Sequence, residues 1–334
     1  MIDRSHPPFD EIVDRFVSQE LARENVHIAG AVRSMLEAGG KRLRPRIAML
    51  AAPACDPQAE PDPVIASCLE LIHVATLIHD DVVDGAQTRR GRASVNRTYG
   101  NRFSVLAGDY LFSWVFKKVT QSYANPVPTI LAAMLAEICN GEVKQLRATG
   151  DLSLGKNRYL EIIGKKTAEL FAACAECGAI VALQRKADCV PGQVRELKAV
   201  RALRAYGWAF GMAFQIRDDL LDLTADEAAL GKPAGSDLRE RKVTLPLIYA
   251  IEDGDPKLLS LLGPAFEIER DAGFANSALD SLIERIRRSP GVQRSVETMS
   301  GFARSAQAAL RVLPDTQPRE QLAALAGTLV ELIR

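Results

Sequence analysis

Apolar residues along this chain recur at intervals of three and four rather than at alternate positions. The stretch 64–84 shows the pattern best. Leu69, Ile72, His73, Thr76, Leu77 and Asp80 fall on one inward-facing stripe of a helix. The same period predicts helices over 102–122, 128–146, 157–184, 192–223, 244–251, 277–288, 290–312 and 318–334. Strand signals are nearly absent, with no convincing β-branched alternation and no Asn-Gly hairpin turn. The breaks carry breaker chemistry: Pro53, Pro57, Pro61 and Pro63 cluster, and Pro126 with Pro128, 189–192 and 231–235 follow. No flexible linker or charge block divides the chain. The expectation is a single all-α domain over 1–334, a bundle of ten or more helices.

Composition narrows the function classes. Across 334 residues, 42 Lys+Arg balance 42 Asp+Glu, for a formal net charge of zero. A nucleic-acid binder needs a basic surplus, so that class is excluded, as is simple electrostatic attachment to an anionic membrane. Hydrophobic residues at 47% and charged residues at 25% argue for a globular core rather than disorder. The longest apolar stretch, 64–78, is interrupted by Ser67, Glu70 and His73, and reads as too short and polar for stable membrane insertion. Asp3, Asp10 and Glu11 do not fit a signal peptide. Cys55, Cys68, Cys139, Cys174, Cys177 and Cys189 read as reduced thiols of a soluble cytoplasmic protein.

Two pentapeptides carry the chemistry: Asp80-Asp-Val-Val-Asp84 and Asp218-Asp-Leu-Leu-Asp222. On a helix, positions i and i+4 share a face, so Asp80 pairs with Asp84 and Asp218 with Asp222. Like charges so spaced cost a helix about a few tenths of a kcal/mol, which calls for a cation. Mg²⁺ suits them, because it takes hard oxygen ligands and is usually held by one or two carboxylates plus substrate phosphates. Basic residues recur nearby in sequence: Lys41, Arg42 and Arg44 after a glycine pair, Arg89 and Arg90 after the first motif, Lys165 and Lys166, and Lys232 and Lys242 after the second motif. Singly each reads as a surface charge; together they suit two phosphorylated groups, which Arg forks and Lys meets as a point charge.

The sequence resembles the trans-type polyprenyl diphosphate synthases. The matching residues are Gly40-Lys-Arg-Leu-Arg-Pro45, 71–84, Arg89-Arg-Gly91, Gly141-Glu-Val-Lys-Gln145, Lys166-Thr167, Phe214-Gln-Ile-Arg-Asp-Asp-Leu-Leu-Asp222 and Gly231-Lys-Pro-Ala-Gly-Ser-Asp237, in family order. The resemblance implies an isoprenoid-synthase bundle around a central cavity, usually homodimeric. It implies ionisation of an allylic diphosphate primer, attack by isopentenyl diphosphate, and loss of a proton to the released diphosphate. Asp80, Asp84 and Asp218 would ligate Mg²⁺, about three ions per site, with Asp81, Asp219 and Asp222 in direct or water-mediated support. Arg89, Lys166 and Lys232 would touch the allylic diphosphate, and Lys41, Arg44, His73 and Arg90 the isopentenyl diphosphate. Thr167 and Gln215 would offer oxygens to the developing cation. Phe214 and Lys242 complete the substrate-binding set. His79 reads as structural, Cys174 and Cys177 as a lone C-x-x-C unsuited to zinc, and Glu142 and Gln145 as cavity or packing residues.

Short-chain members tend to place an aromatic one turn before the first motif; here Ala75 and Thr76 stand there, so Ala75 would line a tunnel open to a long chain. The wording of 72–79 and 104–112 is similar to long-chain synthases. An octaprenyl-type product, a quinone side-chain precursor released with transient membrane contact, is the expectation. A farnesyl or geranylgeranyl synthase, a non-catalytic subunit of a heteromeric synthase and a terpene cyclase are the alternatives; the second aspartate motif speaks against the cyclase.

Overall fold

The computed structural model describes residues 9–185, 193–224, 235–267 and 275–331. In chain order the helices are α1 (Phe9–Phe16), α2 (Ala22–Glu24), α3 (Val26–Glu37), α4 (Leu43–Cys55), α5 (Pro63–Val83), α6 (Val95–Tyr99), α7 (Asn101–Ser122), α8 (Val127–Arg147), α9 (Lys156–Ile163), α10 (Glu169–Gln184) and α11 (Lys198–Thr224). Then come α12 (Ser236–Arg239), α13 (Leu245–Glu252), α14 (Pro256–Glu267), α15 (Ala275–Arg287), α16 (Pro290–Ala309) and α17 (Gln317–Glu331). Five-residue π-turns, Val17–Leu21 and Gly164–Ala168, interrupt the helical stretches Phe9–Glu24 and Lys156–Gln184. The predicted 192–223 helix begins later than its period suggests: Val194–Glu196 is a 3₁₀ turn, and α11 starts at Lys198. The all-α expectation holds. Among the described residues the sole sheet is the two-residue hairpin β1 (Thr88–Arg89) and β2 (Arg92–Ala93).

The chain divides into two compact units. The first comprises Met1–Ala132, Ala173–Arg204 and Val312–Gln321. Its spine is α5, which packs on α7 and α4 and also touches α1 and α3. Local chemistry defines both ends of α5. Asp62 caps the start, its Oδ1 accepting from the amides of Val64 and Ile65 at 2.8 and 3.1 Å, and Pro63 occupies the first helical position where its missing N–H costs nothing. At the far end Gly85 adopts φ +64, and the amides of Gly85 and Ala86 return to the carbonyls of Val82 and Asp81. That glycine-terminated closure stops the helix immediately after Asp84. Between the ends, Leu69, Leu71, Ile72, Ala75 and Ile78 are fully buried. In the same unit Gly178 lets α10 approach α4, since a Cβ there would lie 2.2 Å from the Ala48 carbonyl oxygen.

The second unit comprises Ala133–Ala172, Ala205–Arg311 and Leu322–Arg334. Here α13 packs on α16 and α9, and α14 on α15. Phe171, Phe210 and Phe214 form an aromatic cluster with ring centroids 5.2 to 6.4 Å apart. Two glycines permit close helix approaches: a Cβ at Gly207 would meet the Phe171 carbonyl oxygen at 2.3 Å, and one at Gly211 the Ala168 Cα at 2.6 Å.

Length and composition alone would allow two stretches, Pro63–Val83 and Lys156–Gln184, to cross a membrane, contrary to the sequence expectation for the first. Of their most apolar windows 61% and 83% is buried inside the protein, so both are core helices.

Candidate active site

In the first unit the Asp80 motif occupies the last turn of α5. The Asp84 amide donates to the Asp80 carbonyl at 2.8 Å, so the two residues stack one turn apart as the spacing predicts. Asp80 is half-buried and Asp84 exposed. A helix C-terminus carries partial negative charge, so carboxylates there are disfavoured until a cation arrives. For Asp81 the cation is internal. Its side chain is fully buried and its Oδ1 accepts from Arg89 Nε at 2.7 Å and Nη2 at 2.6 Å, while Oδ2 is buried without a hydrogen-bond partner. Burial raises the Asp81 carboxyl above its ordinary range, against the pull of Arg89.

Arg89 and Arg90 are placed by the hairpin that follows. Arg90 and Gly91 adopt φ +51 and +77 between the paired Arg89 and Arg92, a two-residue turn with both central residues left-handed. The Arg90 guanidinium lies over Gly40, where an added Cβ would sit 2.6 Å from Nη1. The glycine pair therefore brings the Lys41–Arg44 segment against the hairpin. Arg42, left-handed at φ +44, donates to Glu70 Oε1 at 2.8 Å and to the Leu36 carbonyl at 2.6 Å, which pins the loop. His73, half-buried on α5, has its basicity pushed well down, first by burial and then by the charges of Arg44, Arg90, Arg89 and Arg42. The charges of those four arginines add to burial in favouring the neutral imidazole. His79 is elsewhere: its Nε2 meets the Val105 carbonyl at 3.1 Å and its ring lies over Gly108. Cys174 and Cys177 are fully buried, and burial pushes both thiols up.

In the second unit the Asp218 motif lies near the end of α11, again at a C-terminal turn, where Arg287 Nε caps the Leu223 carbonyl at 2.5 Å. Asp218 is exposed; Asp219 and Asp222 are buried. Asp222 Oδ2 accepts the Asp237 amide at 3.0 Å and its carbonyl accepts the Gly235 amide at 2.8 Å, so it anchors the return of the chain after the motif. Asp219 accepts from Tyr159 Oη at 2.6 Å and from Gln215 Nε2 at 2.8 Å, and Thr167 Oγ1 donates to Gln215 Oε1 at 2.8 Å. Burial pushes the Asp219 carboxyl up to about 7 despite those donors.

Thr167 and Lys166 ride on the π-turn Gly164–Ala168, a widened helical turn of a kind frequent at functional sites. Gly141 on α8 permits it, since a Cβ there would lie 2.5 Å from the Lys166 amide nitrogen. Lys166 Nζ pairs with Glu142 Oε2 at 2.6 Å, and Lys242 Nζ with Glu240 Oε2 at 2.6 Å. Phe214 joins the aromatic cluster, and Gln145 stays half-buried. Lys232 lies outside the described residues. Sequence reasoning missed Tyr159 and Glu70, which bear no local signal because their partners are 60 and 28 residues away.

The carboxylates fit Mg²⁺ unequally. Asp80, Asp84 and Asp218 present hard oxygens at or near the surface, whereas Asp81 and Asp219 are committed to internal donors. Among the described residues no three His, Cys, Asp or Glu side chains converge into a closed metal cage. That suits an ion completed by phosphate oxygens and water.

Residues 25–277 match the family model for polyprenyl synthetase. The chain belongs to the polyprenyl synthetase family. Within it, the chain is 36% identical to the octaprenyl diphosphate synthase of Escherichia coli K12 over 96% of this chain and 98% of that one. It is 35% identical to the heptaprenyl diphosphate synthase component 2 of Geobacillus stearothermophilus, over 93% of this chain and 95% of the relative. The fold matches a polyprenyl synthase from Caulobacter crescentus CB15, solved with calcium and isoprenyl diphosphate, with a TM-score of 0.83, 36% identity, and 96% and 93% of the two chains covered. As a member of the polyprenyl synthetase family the chain is a prenyltransferase with the all-α isoprenoid-synthase fold.

Proposed function

We infer that this chain is a long-chain trans-prenyltransferase that adds successive isopentenyl diphosphate units to an allylic diphosphate, giving a polyprenyl diphosphate of octaprenyl type. One observation carries the reading: both aspartate motifs occupy C-terminal helical turns, where the helix itself disfavours carboxylates and a bound cation would favour them. The near full-length likeness to an octaprenyl diphosphate synthase supports the long product, and a quinone side-chain precursor is the role we assign to it.

Mg²⁺ is the metal proposed, held by Asp80, Asp84 and Asp218, and when bound it neutralises the departing diphosphate as a Lewis acid. Asp81, Asp219 and Asp222 support those ligands, Asp81 through Arg89 and Asp222 through the Asp237 amide. Lys166, freed from Glu142, Arg89 and Lys232 meet the allylic diphosphate. Lys41, Arg44, Arg90 and neutral His73 meet the isopentenyl diphosphate, with arginine forks matching phosphate oxygens. Lys242 adds positive charge beside the second motif, Phe214 contributes to substrate binding, and Ala75 lines the tunnel for the growing chain. Thr167 and Gln215 turn oxygens toward developing positive charge, and the released diphosphate takes the proton.

We further propose that the chain works as one domain and as a homodimer in the cytoplasm, touching membranes transiently as the apolar product leaves. The single-domain reading rests on α8, α10 and α11, each of which runs through residues of both compact units. The deciding experiment supplies the purified chain alone with Mg²⁺, farnesyl diphosphate and excess isopentenyl diphosphate, followed by mass spectrometry of the product. An all-trans product beyond twenty carbons is expected. A product ending at fifteen or twenty carbons sinks the long-chain assignment, and no condensation sinks catalysis by this chain alone.

A further inference from the structure

We propose that Tyr159 is a positioning residue for this prenyl transfer: its phenol fixes the Asp219 carboxylate, which fixes the Gln215 amide against Thr167. The proposal deepens the functional reading above and rests on it. Four side chains from three elements of one unit form a single chain of hydrogen bonds: Tyr159 on α9, Asp219 and Gln215 on α11, and Thr167 on the π-turn. Tyr159 Oη donates to Asp219 Oδ2 at 2.6 Å, Gln215 Nε2 donates to Oδ1 at 2.8 Å, and Thr167 Oγ1 donates to Gln215 Oε1 at 2.8 Å. Tyr159, Asp219 and Thr167 are 3%, 6% and 7% exposed.

The direction of each bond follows from chemistry. With Tyr159 Oη and Gln215 Nε2 donating to its two oxygens, Asp219 accepts on both sides, which turns the NH₂ end of Gln215 toward it and leaves Oε1 to face Thr167. A flipped amide would oppose two acceptors across 2.8 Å. Thr167 then spends its proton on Gln215, so the oxygens of both residues are left as lone-pair donors, the state that stabilising a carbocation requires. Gly211, one turn before Gln215, provides the room, because its missing Cβ lets α11 close on Ala168 of the π-turn.

A buried tyrosine can be satisfied at much lower cost. Tyr206, also on α11, donates to the Leu322 carbonyl at 2.8 Å and keeps no charge inside. Tyr159 instead helps hold a buried carboxylate, whose desolvation is far more costly than that of a carbonyl. With both Asp219 oxygens engaged by protein donors, its support of the site runs through the order it gives Gln215 and Thr167.

The test is a kinetic cycle on the full-length chain with Mg²⁺ and both diphosphate substrates. Tyr159→Phe keeps the ring and removes the hydroxyl, and kcat should fall by about ten- to a hundredfold while KM for isopentenyl diphosphate stays within about twofold. Adding Gln215→Leu to Tyr159→Phe should give a kcat no lower than that of the slower single variant, because both act on one chain of bonds. An unchanged kcat in Tyr159→Phe, or losses that multiply in the double variant, overturns the proposal. Should Tyr159→Phe not fold, Asp219→Asn replaces it in the same cycle, since the amide offers one accepting atom where the carboxylate offers two. In that variant the shift in melting temperature induced by Mg²⁺ together with inorganic diphosphate should match the wild type; a lost shift makes Asp219 a metal ligand and overturns the positioning role. The wild type run in parallel separates the two readings: an inactive wild type sinks the functional assignment and this proposal with it, whereas an active wild type beside an unimpaired Tyr159→Phe sinks the positioning role alone.

Discussion

Asp80 and Asp81 are neighbours with different work. Asp81 is enclosed and answered by Arg89, whereas Asp80 shares a helical turn with Asp84 at the edge of the protein. Asp80→Ala should therefore cost several orders of magnitude in turnover with the fold retained, checked by steady-state rates alongside circular dichroism; a mild effect would contradict its role as a metal ligand. His73 yields a prediction of stability against pH. Burial and four nearby arginines hold its pKa well below the unfolded value of about 6.5. The unfolded chain therefore takes up a proton that the folded chain refuses. The stability tied to neutral His73 is complete above about pH 6.5 and is lost as pH falls toward the folded value. His73→Gln cannot titrate, so urea midpoints measured from pH 7 to pH 5 should slope less steeply than those of the wild type. An equal or steeper slope would show that His73 is charged in the folded state.

At the scale of elements, the π-turn exists because α8 offers it a glycine. Gly141→Ala would force a Cβ to 2.5 Å from the Lys166 amide, a backbone atom that cannot swing aside. It should cost about 1–3 kcal/mol of stability and raise KM for the allylic substrate, because the same turn carries Lys166 and Thr167. Gly30→Ala is the control: it lies inside α3 with nothing within 4 Å of the new methyl, and should be neutral or add up to about 1 kcal/mol. Chemical denaturation of both variants decides it. Much of this level was legible from apolar spacing, since the predicted 64–84, 102–122 and 128–146 are Pro63–Val83, Asn101–Ser122 and Val127–Arg147 within a residue or two. The rest was hidden for physical reasons. Pro53 reads as a break, yet it sits in the last turn of α4, where losing one hydrogen bond is tolerable. One extra residue in a π-turn leaves an apolar run apolar, so periodicity over 157–184 shows a single helix. The hairpin uses Arg90-Gly91 where Asn-Gly is the usual signal, and an arginine at φ +51 has no signature of its own. Within the site, the motifs revealed which residues mattered but not how they divide the work. The Tyr159–Asp219 bond spans 60 residues of chain and belongs to no pattern.

Over the whole molecule, equal numbers of acids and bases conceal local polarity. In the first unit an acidic turn ends the spine helix and an arginine-bearing hairpin follows it, with Arg89 joining the two. That spine also bears on product length. Ala75 is fully buried on α5, five residues before Asp80, and its methyl is among the smallest side chains in that stretch. Two surroundings would give different results for Ala75→Phe. Against a closed core, the added ring overpacks and costs about 1–3 kcal/mol, with product length unchanged. Beside the path of a growing prenyl chain, the ring occupies volume that only the product otherwise fills, so stability changes little and elongation stops early. We expect the second result: shorter products by mass spectrometry, turnover retained, and a melting temperature close to that of the wild type. A destabilised variant that still makes the full-length product would remove Ala75 from the product's path. The limit on chain length would then have to lie in residues other than those on the Asp80 helix.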